Sequence, residues 1–190
     1  MVKLDKIYTR GGDGGMSGLT DGTRRSKADA RFAAIGAVDE ANSAIGLART
    51  QVSLASAASL DAMLGRIQND LFDLGADLAT PDANNRQALR IVAAQVARLE
   101  AEIDGMNSSL TPLTSFVLPG GYTLGAHLHL ARAITRRAER DMVMLAETEN
   151  VNPQGLAYIN RLSDHLFVMA RLANDAGVAD VLWVPGANRD

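Results

Sequence analysis

The sequence predicts an all-α protein built as a five-helix antiparallel bundle. Only 4% of its 190 residues are aromatic, while alanine and leucine are abundant, and this composition favours helices over strands. Five segments repeat apolar residues at three- and four-residue spacing, and mostly short polar stretches separate them. We expect one domain, with an N-terminal arm over 1–29, the bundle over 30–176 and a tail over 177–190.

Each predicted helix ends at a recognisable break. The helices are expected to cover, in order, about 30–52, 60–78, 87–104, 122–148 and 153–175. A small-residue connector follows the first helix, and "TPDANNR" with Pro81 ends the second. The longest irregular stretch, 105–121, precedes the fourth helix, and Pro153 stands where a first-turn proline is tolerated. Strand signals are confined to the two ends of the chain.

The last two helices have distinct apolar and polar faces. On the fourth helix the core stripe is expected to comprise Ile134, Ala138, Met142 and Leu145. The fifth helix carries a second, mostly polar stripe, comprising Asn160, Asp164, Phe167, Arg171 and Asn174. Solvent exposure explains most of this stripe, but Phe167 is awkward in water, so part of the stripe is expected to meet another helix or subunit.

Composition excludes several classes of function. The formal net charge of −3 does not suit general binding to nucleic acid or anionic membranes. The absence of cysteine excludes disulfides and thiolate metal sites and suits a reducing compartment. We find no secretory signal and no apolar run long enough to cross a membrane, so a cytoplasmic protein is expected.

The glycine-rich arm is the first candidate binding element. Five glycines fall within the eight positions of 11–18, where backbone N–H groups could approach phosphate oxygens closely. The segment matches neither a P-loop nor a dinucleotide fingerprint. A floppy N-terminal arm therefore stands beside phosphate binding as an interpretation.

The fourth helix carries the second candidate. Arg132, Arg136 and Arg140 recur at four-residue spacing with Glu139 among them, and such aligned cations repel one another. One interpretation is a solvated face balanced by local acids. The other is recognition of an anion such as a triphosphate, because guanidinium groups bind phosphate and carboxylate in bidentate fashion.

Other residue patterns carry less chemistry. His127 and His129 lie two residues apart, which on a helix is a poor chelate, and no E-x-x-H pair supports a di-iron centre, so no protein-ligated metal is expected. Asp39 lies near the core boundary of the first helix, where an arginine of the fourth helix is its natural partner.

Four segments together resemble the PduO-type cobalamin adenosyltransferases. They are "KIYTRGGDGG" with the later "SK", "AIGAVDEANSAIG", "FVLPGG", and the last two helices with "ARAITRRAERDMV" and "NRLSD". The resemblance implies a ferritin-like five-helix bundle that assembles as a homotrimer, with active sites between subunits. It also implies transfer of the 5′-deoxyadenosyl group of ATP to cob(I)alamin, with Mg²⁺, and a reductase and adenosylcobalamin-dependent mutases as partners.

The resemblance also assigns roles to residues of this sequence. An ATP-wrapping arm would comprise Thr9, Arg10, Gly12, Asp13, Gly15, Ser17 and Lys27. Arg136 and Glu139 would contact the nucleotide, its phosphates and the magnesium region, and Asn160 would help to hold ATP. Arg132 would pair with Asp39 of a neighbouring subunit. Phe116 would press on the corrin and keep its dimethylbenzimidazole off the cobalt.

Two departures and two rival functions remain at this point. Gly11 and Gly14 replace residues that are usually bulkier in the family, which loosens the arm and puts the ATP affinity in question. One rival is a regulatory bundle that binds nucleotide or corrinoid without turnover. The other is a di-iron oxidase, which would contain iron.

Overall fold

The computed structural model describes residues 5–52, 58–81 and 88–189. Five α-helices dominate it: α1 (Ala30–Arg49), α2 (Ala58–Leu78), α3 (Ala93–Asn107), α4 (Thr123–Ala146) and α5 (Pro153–Ala173). Four short strands accompany them: β1 (Met16–Gly18), β2 (Arg24–Ser26), β3 (Val117–Leu118) and β4 (Val181–Leu182). The predicted five-helix bundle is thus confirmed. No helix within the described ranges is long and apolar enough to cross a membrane.

Helices that follow one another in the chain run antiparallel. Between α1 and α2, for example, Arg49 meets Asp61, whereas Asn42, further back in α1, meets Gln68 further along α2. Helix α1 packs mainly on α2 and α4, and α5 packs on α3 and α4. Helices α3 and α5 are parallel neighbours, because Glu100 meets Arg161 and Glu102, further along α3, meets His165 further along α5.

Side-chain caps set two helix starts. Asp29 accepts a hydrogen bond from the Arg31 amide at 2.8 Å and begins α1. Asn152 does the same for the Gln154 amide at 3.0 Å, and Pro153 occupies the first turn of α5, as predicted.

Helix α3 begins later than the sequence pattern predicts. Residues 88–92 are not helical, and residue 87, where the predicted helix begins, lies outside the described part of the chain. The Asp77 carboxylate explains the difference, because it accepts the Ile91 amide at 2.9 Å and pairs with Arg90 at 2.6 Å. These contacts draw the segment across the end of α2 and bury Ile91 in the core.

The core face of α4 is rotated slightly from the expected stripe. Ala138, Met142 and Leu145 are buried as predicted, but Ile134 is only half-buried, and Thr135 takes the core position. Within the described ranges the Thr135 hydroxyl has no hydrogen-bond partner. Ile134 therefore lies at the margin of the bundle core and not at its centre.

Two small sheets organise the segments outside the bundle. Strands β1 and β2 form an antiparallel hairpin in the arm. Strand β3 lies in the stretch predicted to be irregular and pairs with β4 of the tail, Val117 opposite Leu182. The tail is thereby joined to the segment before α4, a connection that local sequence signals do not indicate.

Candidate active site

The glycine-rich arm is folded. Gly15 has a φ of +78°, which favours glycine, and its carbonyl accepts the Lys27 amide at 2.8 Å. Gly12 lies under the Lys27 side chain, where a Cβ would come within 3.0 Å of Nζ. The two glycines are thus required for different reasons, one for backbone conformation and one for close approach.

Of the remaining arm residues assigned by resemblance, Thr9, Arg10 and Asp13 are exposed and Ser17 is half-buried. Arg10 has a positive φ of 59° with its guanidinium 5.9 Å from the centre of the Tyr8 ring. The Asp13 amide donates to the Arg10 carbonyl at 3.3 Å, and Ser17 lies opposite Arg25 in the hairpin. These groups form a polar surface open to solvent.

Charged pairs anchor the arm to the bundle. Glu149, just beyond α4, accepts hydrogen bonds from Arg25 at 2.6 Å and from Arg31 at 2.8 Å. Arg31 is only 2% exposed and also donates to the Leu78 carbonyl at 2.6 Å. Burial alone would raise the pKa of Glu149, but the hydrogen bonds from the two arginines outweigh it and hold that pKa below its usual value.

The arginine face of α4 has no such carboxylate partners in the described part of the chain. Arg132 is half-buried and its Nε finds no hydrogen-bond partner among the described residues, whereas Arg136 is exposed. Burial lowers the pKa of Arg132, and the nearby Arg136 lowers it further. No acid within the described ranges pairs with either guanidinium; Arg137, on the neighbouring face, takes Glu40.

Glu139 and Asn160 meet across the α4–α5 contact. The Asn160 amide donates to Glu139 Oε1 at 2.7 Å. The structure therefore brings together two residues that the sequence motifs place on separate helices, one turn away from Arg136.

Phe116 stands at the edge of a cavity that Arg132 also lines. Its side chain is 77% exposed, and its ring lies 6.0 Å from that of Trp183 in the tail. The cavity has a volume of about 420 Å³, and Phe167 of α5 completes its apolar wall. Phe167 thus faces this cavity, which explains its place in an otherwise polar stripe.

Asp39 does not pair with an arginine of α4 in its own chain. It is exposed and lines a largely apolar groove of about 400 Å³ between α1 and α2, beside Phe72. The neighbouring residue Glu40 instead meets Arg137 of α4. The pairing of Asp39 with Arg132 of another subunit stays a prediction.

The two halves of the candidate site lie at different levels of the bundle. The arm is fastened at the C-terminal end of α4, whereas Arg132 and the Phe116 cavity lie near its N-terminal half. With a rise of 1.5 Å per residue, about 20 Å of helix separates them.

Known proteins match this chain along almost its whole length. The family model described as cobalamin adenosyltransferase matches residues 7–173. A corrinoid adenosyltransferase of Mycobacterium tuberculosis is 48% identical over 99% of this chain and 97% of its own length. The chain belongs to the cobalamin adenosyltransferase family. A cobalamin adenosyltransferase of Cupriavidus metallidurans is 46% identical, with 95% of each protein covered.

A solved structure of this family also shares the fold. A variant of the PduO-type ATP:corrinoid adenosyltransferase from Lactobacillus reuteri, complexed with cobalamin and ATP, superposes with a TM-score of 0.89. It is 39% identical, and the match covers 95% of this chain and 97% of that one. The resemblance read from the sequence motifs is confirmed.

In this chain, sequence reasoning missed a buried polar cluster that lies next to the Phe116 cavity. Arg171 and Asn174, expected to be largely exposed, are 5% and 0% exposed, and both bond to Asp180 of the tail. The α5 pattern places Arg171 and Asn174 on one face but does not show what covers that face. Asn174, followed three residues later by Gly177, is a helix-end signal in the sequence, and only the long-range contacts of Asn174 make it a core residue.

His129 of α4 packs in the interior of the bundle. It is buried against Phe167, with ring centres 6.2 Å apart, and neither ring nitrogen has a hydrogen-bond partner among the described residues. Burial lowers the pKa of His129, and the positive charge of Arg132 lowers it further. The negative charge of Asp180 opposes this shift but does not cancel it. Among residues 5–52, 58–81 and 88–189, no three His, Asp or Glu side chains lie close enough together to hold a metal ion.

Proposed function

We propose that this chain transfers the 5′-deoxyadenosyl group of ATP to cob(I)alamin, giving adenosylcobalamin and triphosphate. Family membership and a close structural relative complexed with cobalamin and ATP support the reaction. The observation that carries it is the pairing of an exposed Phe116 with the unpartnered Arg132 around one cavity, next to the exposed Arg136. An apolar surface for a corrin thus adjoins uncompensated positive charge for a polyphosphate.

The nucleotide site is built from two elements. The arm residues Thr9, Arg10, Gly12, Asp13, Gly15, Ser17 and Lys27 wrap the nucleotide in this proposal. Arg136, Glu139 and Asn160 contact it from the bundle, and the hydrogen bond between Glu139 and Asn160 orients both side chains. Glu139 fits a magnesium ion delivered with ATP, because Mg²⁺ is typically held by one or two carboxylates plus substrate phosphates. When bound, Mg²⁺ supplies charge neutralisation on the triphosphate.

The protein's task in the reaction is orientation and charge stabilisation. Cob(I)alamin is itself a strong nucleophile, so no side chain needs to act as nucleophile or base. The cobalt electron pair forms a bond to C5′ of the ribose while the C5′–O bond breaks, and triphosphate leaves with that electron pair. Arg136 and the arm amides stabilise the charge that builds up on this leaving group, and the closed site holds C5′ over the cobalt.

Phe116 prepares the corrin for reduction. Its exposed ring occupies the position of the lower dimethylbenzimidazole ligand, which leaves four-coordinate cob(II)alamin. Without a lower ligand, the cobalt accepts an electron more readily. Phe167 and Trp183 keep this side of the corrin apolar.

A homotrimer with shared sites accounts for the separation of the two halves. Within one chain about 20 Å of helix divides the arm from the Phe116 cavity. In the proposed assembly, the arm of one subunit closes over the α4 face of the next, and Asp39 pairs with Arg132 of a neighbouring subunit. The pair would compensate the half-buried guanidinium of Arg132, which has no acidic partner in the described part of its own chain.

The reaction also defines the partners. A reductase supplies Co(I), and adenosylcobalamin-dependent mutases consume the product. A cysteine-free chain suits the reducing cytoplasm in which we place these steps.

An anaerobic assay tests the activity. Chemically reduced cob(I)alamin and MgATP are mixed with the protein, and loss of the Co(I) absorbance is followed. Adenosylcobalamin and released triphosphate are the expected products. Binding of ATP and corrinoid without turnover would contradict the proposal and favour a regulatory binding module.

A charge exchange tests the assembly. Asp39→Arg and Arg132→Asp should each weaken the trimer, measured by sedimentation, because each places like charges at one contact. The double variant restores opposite charges and should restore assembly. Asp104→Arg, a reversal at an acid elsewhere on the bundle, is the matched control and should leave assembly unchanged. Single variants that assemble like the wild type would contradict the pair.

A further inference from the structure

The segment that carries Phe116 is tied to α5 near both of its ends. Arg171 donates from Nη2 to the Thr111 carbonyl at 2.9 Å. Asn174, one helical turn further on, donates to the Gly120 carbonyl at 3.2 Å and accepts the Tyr122 amide at 3.0 Å. Residues 111–122 are therefore held at their beginning and at their end by one face of α5.

Asp180 joins the two tethers. It accepts Arg171 Nε at 2.8 Å and Asn174 Nδ2 at 3.1 Å. We refer to Arg171, Asn174 and Asp180 as the α5 clamp. The side chains of Arg171 and Asp180 are 6% and 3% exposed, so the ion pair is shielded from solvent.

The backbone around the clamp is built to admit the Asn174 amide. Gly121 has a φ of +90°, and a methyl group at either Gly121 or Gly125 would overlap the Asn174 side chain. Two glycines on different sides of one buried amide indicate that its position is specified by the surrounding chain.

The clamp also orders the tail against Phe116. Asp180 leads directly into β4, which pairs with β3. The Trp183 amide donates to the Phe116 carbonyl at 2.8 Å, and the Ser115 hydroxyl donates to the Trp183 carbonyl at 2.6 Å. Trp183 of the tail thus holds Phe116 in two ways. It bonds to the backbone of Phe116 and to Ser115, and its ring lies beside the Phe116 ring.

Stability alone does not account for this arrangement. Replacing a buried ion pair by apolar residues is often neutral or stabilising, so three buried polar side chains are an inefficient means of stabilising a loop. Directional hydrogen bonds do, however, define a position, and a catalytic contact needs a defined position.

We propose that Arg171, Asn174 and Asp180 are positioning residues for adenosyl transfer. They fix Phe116 at the edge of the cavity that Arg132 and Phe167 also line. None of them touches substrate in this proposal. The inference rests on the proposed role of Phe116 in displacing the lower ligand of the corrin.

The test uses two independent variants that disturb the clamp. Asn174→Ala removes its central amide, and Gly125→Ala pushes that amide aside from α4, where alanine is itself a favourable helix residue. The readouts are the fraction of four-coordinate cob(II)alamin with ATP bound, measured by absorbance, together with kcat, KM for ATP and the thermal midpoint.

Each variant has a matched control. Asn152→Ala removes hydrogen bonds to Asp77 and Ile91 at the other end of α5, and Gly105→Ala adds a methyl group in open space on α3. Both clamp variants should lower kcat and the four-coordinate fraction by roughly tenfold or more, with KM for ATP within about twofold of wild type. Asn152→Ala should lower the thermal midpoint without changing the spectrum, and Gly105→Ala should change neither.

Phe116→Ala separates this inference from the function on which it rests. If the clamp acts through Phe116, adding Asn174→Ala to Phe116→Ala should cause no further loss. Folded clamp variants with a wild-type spectrum, beside a damaged Phe116→Ala, would overturn the clamp alone. A wild-type spectrum in Phe116→Ala would overturn the proposed role of Phe116 itself. Should Asn174→Ala fail to fold, Gly125→Ala tests the same contact from the side of α4.

Discussion

The two ends of helix α4 differ in whether the arginines near them have a carboxylate partner. At its C-terminal end, Arg25 and Arg31 share the Glu149 carboxylate, although Arg31 is almost fully buried. Further back, Arg132 is half-buried, and its Nε has no partner in the described chain. The more deeply buried guanidinium is therefore the one with a carboxylate partner. Arg132, which lines the cavity, has no acidic partner in the described part of the chain.

The largest effect is expected from removing Arg136, a cation with no acidic partner in the described part of the chain. Arg136→Ala should lower kcat by about 10²–10³ with an unchanged thermal midpoint, because the lost contact is to charge that develops on the leaving triphosphate. Arg140→Ala is the matched control on the same exposed face and should stay close to wild type. Near-normal turnover in Arg136→Ala, measured in the anaerobic assay, would exclude its assigned role.

Removing the counter-charge at the other end should affect stability first. Glu149→Gln should lower the free energy of unfolding by about 2–3 kcal/mol, because it leaves the buried Arg31 without its carboxylate. Urea unfolding measures the loss. The exposed pair between Arg161 and Glu100 provides the control, and Arg161→Gln should cost less than about 1 kcal/mol. Equal losses in both variants would mean that burial of Arg31 does not matter.

The same pair predicts a pH dependence of stability. The folded pKa of Glu149 lies below its usual value of 4.5, so its contribution is complete above pH 4.5 and declines as the pH falls through the folded pKa. The difference in unfolding free energy between wild type and Glu149→Gln should therefore shrink below pH 4.5. Urea unfolding across this range checks it, and a constant difference would contradict the assignment.

A smaller effect is expected in the arm loop. Gly15→Ala places a side chain at a φ of +78° and should weaken arm closure by about 1 kcal/mol, raising KM for ATP several-fold. Gly14→Ala, which also meets open space but at an ordinary φ, is the control and should be close to neutral. If both variants behave alike, the backbone conformation at Gly15 does not contribute to ATP binding.

Local patterns predict the helices of this chain better than they predict the segments between them. Four helix starts agree with the periodicity to within two residues, because apolar spacing and caps are local signals. The start of α3 does not agree, because Asp77 holds Ile91 from another helix. The pairing of β3 with the tail escapes prediction for a similar reason, since two-residue strands have no periodicity to detect.

In the candidate site, too, features with a local sequence signal are predicted and features that depend on long-range contacts are not. Family motifs place Glu139 and Asn160 on separate helices, and their hydrogen bond follows from antiparallel packing. Within one chain Glu40, and not Asp39, meets Arg137 of α4, because a step of one residue along a helix turns the side chain by 100°. The α5 clamp could not be foreseen, since buried and exposed polar residues look alike in a single sequence.

The distance along α4 between the arm anchor and the Phe116 cavity has a genetic consequence. In the proposed trimer, a chain with a defective arm and a chain with a defective α4 face are each inactive, yet each retains the half-site that the other lacks. Random co-assembly of equal amounts should give both intact halves to about a quarter of the sites. Two loss-of-function alleles of this gene should therefore complement each other, whereas two alleles damaged in the same half should not.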